Sequence, residues 1–151
     1  MKKLAIILLV VTATTMIFTA CGKYEEGPAF SLLTKKARIV GSWTLTEVTN
    51  NGAIQDISQY SMSPTFEKDG TGKYTVSFLL LGTNYSYTGD LEWEFNDTKE
   101  SLRSRMKNED GVFESWNEAT ILKLTNSECW LSSVDTTDGV VYTSISKYTK
   151  D

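Results

Sequence analysis

The stretch YSYTGDLEWEF, residues 85–95, constrains the fold more than any other, because apolar and polar side chains alternate along it. Successive side chains of a β-strand point to opposite faces, so a period of two predicts a strand with one buried and one solvated face. Such strands are typical of antiparallel sheets. The predicted buried face carries Tyr85, Tyr87, Leu91, Trp93 and Phe95, and the solvated face carries Ser86, Thr88, Asp90, Glu92 and Glu94.

The same period recurs from Gly41 onward, and Asn-Gly and Asp-Gly pairs separate the segments as turns would. A short helix, capped by Ser31 and running through Arg38, precedes them. The pattern therefore predicts an all-β chain: about eight antiparallel strands in an up-and-down meander, closed into a barrel that leaves no exposed edge. The other segments are WTLTEV (43–48), YSMSPTFEK (60–68, interrupted by Pro64), KYTVSFLL (73–80), ESLRSRMK (100–107), WNEATILKL (116–124), ECWLSSV (128–134) and VVYTSISKY (140–148).

The first 20 residues have the order of a secretory signal. Lys2 and Lys3 precede an apolar run over residues 4–18, and small residues follow it. A transmembrane anchor is the alternative, but the run is shorter than the roughly 20 apolar residues that span a bilayer. We expect a signal peptide over 1–20, a flexible tether over 21–30 and a folded domain over 31–151.

The signal ends directly on Cys21, and Phe18-Thr19-Ala20-Cys21 resembles the lipobox of bacterial lipoproteins, with Phe where that family prefers Leu. The resemblance implies cleavage before Cys21 and acylation of that cysteine by chains such as palmitate, which makes the lipid bilayer a partner. Two or three acyl chains hold a protein stably in a membrane, whereas one holds it marginally. Glu25 and Glu26 resemble the acidic signal for transfer to the cell surface. The implied location is the bacterial outer membrane, facing outward; a free exported cysteine is the alternative.

Composition removes several classes of function. The chain has no histidine, the commonest general base and metal ligand. Cys129 is the one cysteine left after Cys21, so no internal disulfide forms. Without Lys2 and Lys3, 13 basic residues face 19 acidic ones, and this net charge of −6 disfavours nucleic acid as a partner. We expect no catalytic residue, no metal and no cofactor.

A second resemblance narrows the fold. The short helix running into RIVGSWTLTEV resembles the opening of lipocalin-like domains, whose first strand begins Gly-x-Trp, here Gly41 and Trp43. WNEATILKLTNSECWLSS resembles paired strands of bacterial lipocalin-like lipoproteins, with Cys129 where a larger apolar residue is usual. The resemblance implies a basic side chain near the end of the last strand, Lys147 or Lys150, lying over the tryptophan. The structural core it implies contains Gly41, Trp43, Trp116 and Cys129.

The aromatic side chains on the buried faces are the candidate ligand contacts, and we predict Tyr74, Phe78, Tyr85, Tyr87 and Trp93 for this role. An eight-stranded barrel is just wide enough to be filled by side chains or to hold one small ligand, so two functions stay open. The first is a membrane-anchored, non-catalytic protein that binds a small apolar or amphipathic ligand in the barrel or at its mouth. The alternative is a structural or protein-interaction subunit of the cell envelope with a filled barrel.

Acidic side chains indicate two other kinds of site, for which the sequence gives less support. Asp90, Glu92 and Glu94 could suggest a cation site, and Glu114 and Glu118 a pair for glycoside hydrolysis. Alternate carboxylates along a strand are more simply a solvated face, and nothing singles out the second pair.

Overall fold

The computed structural model describes residues 33–108 and 110–151. The predicted signal peptide, the tether with Cys21, Glu25 and Glu26, and the predicted helix cap Ser31 lie outside the described residues. Within them, no helix combines the length and apolar character needed to cross a membrane.

The described residues form one short helix and nine strands. Strand β1 pairs with β3, each later strand pairs with the next along the chain, and β9 pairs back with β1. Every pairing is antiparallel, and β2 is a two-residue addition to the end of β1. The predicted eight-stranded, antiparallel, up-and-down barrel with a short N-terminal helix is therefore confirmed. The elements are α1 (Lys35–Ile39), β1 (Gly41–Asn50), β2 (Ala53–Ile54), β3 (Tyr60–Phe66), β4 (Thr71–Leu80), β5 (Thr83–Phe95), β6 (Ser101–Met106), β7 (Asn117–Leu124), β8 (Glu128–Thr137) and β9 (Val140–Lys150).

The two ends of the barrel differ. We call the end that carries α1 and the turns around residues 67–70, 96–100 and 125–127 the lower end, and the opposite end the upper end. Helix α1 begins after Thr34, whose side-chain oxygen accepts a hydrogen bond from the backbone N–H of Ala37 at 3.1 Å. The Arg38 guanidinium donates to the carbonyl oxygen of Leu124 at 2.7 Å, so the helix is fixed across the lower end.

Strand β3 passes through Pro64 without the interruption that the sequence predicts. Proline cannot donate a backbone hydrogen bond, so strands tolerate it where no neighbour needs that bond. Strand β1 pairs with β3 only at Gly41–Phe66 and Ser42–Thr65. Pro64 lies just above that short ladder, and its side chain is buried in the barrel.

The core fills the lower half of the barrel, and Trp43 and Cys129 both lie in it. Gly41 has a φ of +127°, and a Cβ atom there would lie 2.7 Å from Cε of Lys150, so the backbone requires glycine. Trp116, which the sequence analysis places in the core, instead lies half-buried on the outer wall, where it contacts arginine side chains. The buried core residues are Ile39, Trp43, Phe66, Tyr74, Leu91, Trp93, Leu102, Ile121, Leu124 and Cys129.

Candidate ligand-binding site in the barrel

Trp43 forms the floor of the barrel. Its side chain is 1% exposed, and its indole N–H donates to the carbonyl oxygen of Ile39 at 2.7 Å. The Lys150 ammonium lies 5.2 Å from the ring centroid and donates to the carbonyl oxygens of Arg38 and Val40 at 2.9 and 2.6 Å. Burial lowers the pKa of Lys150. Lys150, and not Lys147, thus covers the tryptophan and closes the lower end.

An apolar cavity of about 70 Å³ lies directly above this floor. It is larger than the roughly 30 Å³ that one water occupies in the liquid and smaller than the roughly 150 Å³ cavity that binds benzene. Pockets for drug-sized ligands begin near 300 Å³. The interior is therefore mostly filled, with room for a few carbon atoms. Its lining consists of Trp43, Met62, Pro64, Phe66, Leu91, Leu102, Ser104, Met106, Cys129, Leu131 and Tyr148.

The polar groups of the cavity are uncharged at neutral pH. Burial raises the pKa of the Cys129 thiol to about 12 and that of the Tyr148 hydroxyl to about 12. The Tyr148 hydroxyl lies 4.0 Å from the sulfur of Met62. An ionised ligand would lose its hydration here without gaining a counter-ion, so the lining suits a neutral, apolar group.

Trp93 lies near the floor and does not line the cavity. Its indole N–H is shared between the carbonyl oxygens of Glu67 and Thr71, each at 3.0 Å. The ring packs edge-on against Phe66 and Phe95, with centroids 5.6 and 5.8 Å apart. These contacts hold the lower turn between β3 and β4 against β5.

Tyr74 and Tyr87 form a pair higher on the inner face of β4 and β5, with ring centroids 5.8 Å apart. The Tyr74 hydroxyl donates to the carbonyl oxygen of Lys107 at 3.4 Å, and burial raises its pKa to about 12. Gly89, opposite Tyr74, makes room for that ring, since a Cβ atom there would lie 2.7 Å from it. Both tyrosines border an open hollow of about 290 Å³ between β5 and the β6–β7 loop, together with Met106, Lys107, Asn108 and Glu114.

Phe78 and Tyr85 stack higher still, with centroids 5.4 Å apart and ring planes 15° from parallel. Both are more than two-fifths exposed, and Tyr60 on β3 pairs directly with Phe78. The structure thus brings four of the five predicted ligand contacts into two aromatic pairs on the β4–β5 hairpin. None of the five touches the enclosed cavity, and their role in binding stays a prediction.

The cavity lining includes side chains that the sequence analysis did not single out. They are Met62, Met106, Leu131 and Tyr148, and Met106 lies at the upper end of β6, toward the open mouth. The period of two was the available signal: Met106 lies on the face of Leu102, and Leu131 on that of Cys129. In β3 the same period was missed, because Pro64 was interpreted as an interruption of that strand.

The acidic run on β5 is explained by ion pairs on the outer wall. Asp90 contacts Lys73 at 3.0 Å and Lys107 at 3.6 Å, and the hydrogen bond from Lys73 helps lower the pKa of Asp90. Glu92 and Glu94 pair with arginines of β6 at 2.6 and 2.9 Å. No group of three His, Cys, Asp or Glu side chains that could hold a metal ion occurs within residues 33–108 and 110–151.

The second acidic pair is not arranged as a catalytic site. Glu118 lies 3.7 Å from Arg103 on the outer wall, and Trp116 covers Arg103 and Arg105 beside it, at 5.6 and 4.7 Å from its ring centroid. Glu114 borders the open hollow next to Tyr74 and Tyr87 instead. The two carboxylates therefore belong to different surroundings.

No family model and no curated protein matches this chain. Among solved structures, the odorant-binding protein from bovine nasal mucosa is 12% identical over 81% of this chain and 77% of its own, with a TM-score of 0.48. Aphrodisin, a sex pheromone from female hamster, is 12% identical over 75% of each chain, with a TM-score of 0.45. The siderocalin Ex-FABP is 9% identical over 76% of this chain and 71% of its own, with a TM-score of 0.41. These likenesses are too weak to carry a conclusion about function.

Proposed function

We propose that the protein is a non-catalytic carrier or receptor that binds a small, neutral, apolar or amphipathic molecule in the cavity above Trp43 and at the mouth of its barrel. The observation that carries the proposal is the uncharged apolar cavity above Trp43, which lies below a wall of exposed aromatic side chains. An apolar end of the ligand would enter the cavity, and a bulkier or polar end would lie against Tyr85 and Tyr87. Tyrosine offers both an apolar ring and a hydroxyl that can orient such a molecule.

The cavity can grow where it meets the mouth. Met62 and Met106 line its upper part, and methionine has flexible torsions and a polarizable sulfur that adapt to different shapes. Rotation of these two side chains toward the mouth would lengthen the cavity without moving a strand. The proposal therefore favours a slender ligand, such as a short-chain alcohol, aldehyde or ester, over a broad ring system.

Titration calorimetry of the purified protein with straight-chain alcohols of increasing chain length tests the proposal. Ser104→Leu adds apolar bulk to the cavity and should weaken binding of the alcohols by about tenfold, or 1.4 kcal/mol. Ser132→Leu is the matched control on β8, next to the inward-facing Leu131, and should change the affinity by less than about twofold. Saturable binding that Ser104→Leu leaves unchanged, or no binding of any compound, would contradict the proposed site.

We also propose that the protein is a lipoprotein of the outer membrane, anchored through acylated Cys21 and exposed on the cell surface. The support is the order of basic, apolar and small residues before Cys21 and the glutamates at positions 25 and 26. We expect Cys21→Ser to move the protein from the membrane pellet into the soluble fraction and to abolish labelling by an alkyne analogue of palmitate. Cys129→Ala should leave both unchanged, because that thiol is buried in the barrel. Retention of Cys21→Ser in the pellet would show that the anchor lies elsewhere.

A further inference from the structure

The four connections at the upper end of the barrel each expose an apolar side chain. Ile54 beside the first connection is 73% exposed, Leu81 in the β4–β5 turn 97%, Val112 in the β6–β7 loop 61%, and Val140 at the start of β9 50%. Leu80 and Val141, next to two of these residues, are also more than half exposed. We call these six residues the apolar rim. Leu81 is unexpected in the tight turn between β4 and β5, since turns of this kind are usually polar.

The described residues of the lower end form no such rim. Among the described residues there, Leu33 is the one large apolar side chain that is exposed, and Ile39, Trp93 and Leu124 are buried. Soluble domains seldom expose apolar side chains in groups, and where they do, the surface commonly contacts a partner. Within residues 33–108 and 110–151, the exposed apolar side chains therefore concentrate at the upper end.

The upper end is also acidic. The described residues there carry five acidic side chains against one basic side chain, Lys107, which is itself paired with Asp90. All five are exposed, so their field acts on whatever approaches the rim. They are Asp56, Asp110, Glu114, Asp135 and Asp138.

We propose that the apolar rim is a docking surface for a protein whose contact face is apolar and bordered by lysine or arginine. Apolar burial would supply affinity, and the opposite charges would orient the encounter. A bacterial bilayer fits less well, because anionic headgroups would meet the acidic side chains, whereas membrane-binding surfaces place Lys and Arg beside their apolar residues. A second copy of the chain also fits less well, because it would bring two acidic ends together.

The path of the chain supports the same choice. Leu33, the first described residue, precedes α1, which lies at the lower end of the barrel. If Cys21 is acylated as proposed above, the barrel is attached through its closed end, and the rim is presented away from that attachment. The charge argument does not depend on the anchor, so failure of the Cys21 experiment leaves the docking proposal standing.

A synthetic amphipathic helical peptide of leucine and lysine is a suitable probe, with a leucine and glutamate peptide of the same length and pattern as its counterpart. Titration calorimetry should show saturable binding of the lysine peptide, weakened severalfold by raising the salt concentration, and no binding of the glutamate peptide. The double variants Leu80→Ser/Leu81→Ser and Asp135→Asn/Asp138→Asn should each weaken binding by about tenfold. Leu33→Ser and Asp97→Asn are the matched controls at the lower end and should leave binding unchanged.

The rim variants should remain folded, because the changed side chains lie outside the core, and circular dichroism verifies this. Equal binding of the lysine peptide by the wild type and both rim variants would overturn the proposal. Two further results would also overturn it. One is sedimentation of the protein with phosphatidylglycerol vesicles that depends on Leu80 and Leu81, and the other is a dimer in sedimentation equilibrium that the leucine variant dissociates. The last two would assign the rim to a bilayer or to self-association.

Discussion

Replacement of Trp43 by alanine should lower the free energy of unfolding by about 3–5 kcal/mol, the usual cost of truncating a fully buried large aromatic side chain. The indole is 1% exposed, fills the floor of the barrel and donates to Ile39 at 2.7 Å. Its removal also takes away the ring that the Lys150 ammonium contacts at the lower end, 5.2 Å from its centroid. A loss of this size is a large fraction of the roughly 5–15 kcal/mol by which domains are stable.

Urea unfolding followed by circular dichroism measures the loss, and Trp130→Ala is the matched control. Trp130 lies on the outer wall between the ammonium groups of Lys123 and Lys147, at 4.5 and 4.3 Å from its ring centroid. Exposed contacts of this kind contribute about 0.5–1 kcal/mol each, so the control should lose about 1–2 kcal/mol. If Trp43→Ala does not fold, Trp43→Phe should still lose more stability than the control. Equal losses at the two tryptophans would mean that Trp43 does not hold the floor.

Most of the fold that could be predicted followed from the alternation of apolar and polar residues with a period of two. It identified the faces of β5 correctly, because Leu91 and Trp93 are buried whereas Asp90 and Glu94 are exposed in ion pairs. It also indicated closure, since a meander of this length exposes two edges unless the first and last strands pair. The β1–β9 ladder, which runs from Trp43–Lys150 to Asn50–Ser144, provides that closure.

The period could not show the height of a side chain along the barrel. Tyr85 and Trp93 share the inner face of β5, yet one is at the exposed mouth and the other in the core. Height depends on register and on how far the neighbouring strands extend. Strand β6 ends at Met106, opposite Leu91, so the residues of β5 before Leu91 have no β6 partner. Tyr85 and Tyr87 are exposed for that reason.

Trp116 was predicted in the core but lies on the outer wall, and its neighbours there explain the difference. An aromatic residue before a strand is equally consistent with a core position and with stacking on long basic side chains of a neighbouring strand. Which of the two occurs depends on the cross-strand partners, and Arg103 and Arg105 of β6 become partners only through the β6–β7 register. The same long-range information determines the size of the cavity, which no local pattern contains.

Gly72→Ala should be the most damaging single-methyl addition in the barrel, with an expected loss of about 3 kcal/mol, at the upper end of the usual cost of overpacking. Gly72 pairs with Phe66 on one side and Leu91 on the other. A Cβ atom there would overlap the backbone oxygen of Thr65 and lie 2.9 Å from Cδ1 of Leu91. A backbone oxygen cannot rotate away as a side chain does, so β3 or β4 must shift.

Urea unfolding again measures the loss, and Gly82→Ala in the β4–β5 turn is the control. Gly82 has a φ of +79° and no atom within 4 Å of its Cβ position, so alanine there should cost only the roughly 1 kcal/mol of an unfavourable backbone conformation. Because Leu91 lines the cavity, Gly72→Ala should also weaken binding of the straight-chain alcohols, which Gly82→Ala should not. A Gly72→Ala protein as stable as the Gly82→Ala protein would show that the β3–β4–β5 wall yields at this point. The cavity could then widen by movement of strands as well as of its two methionines.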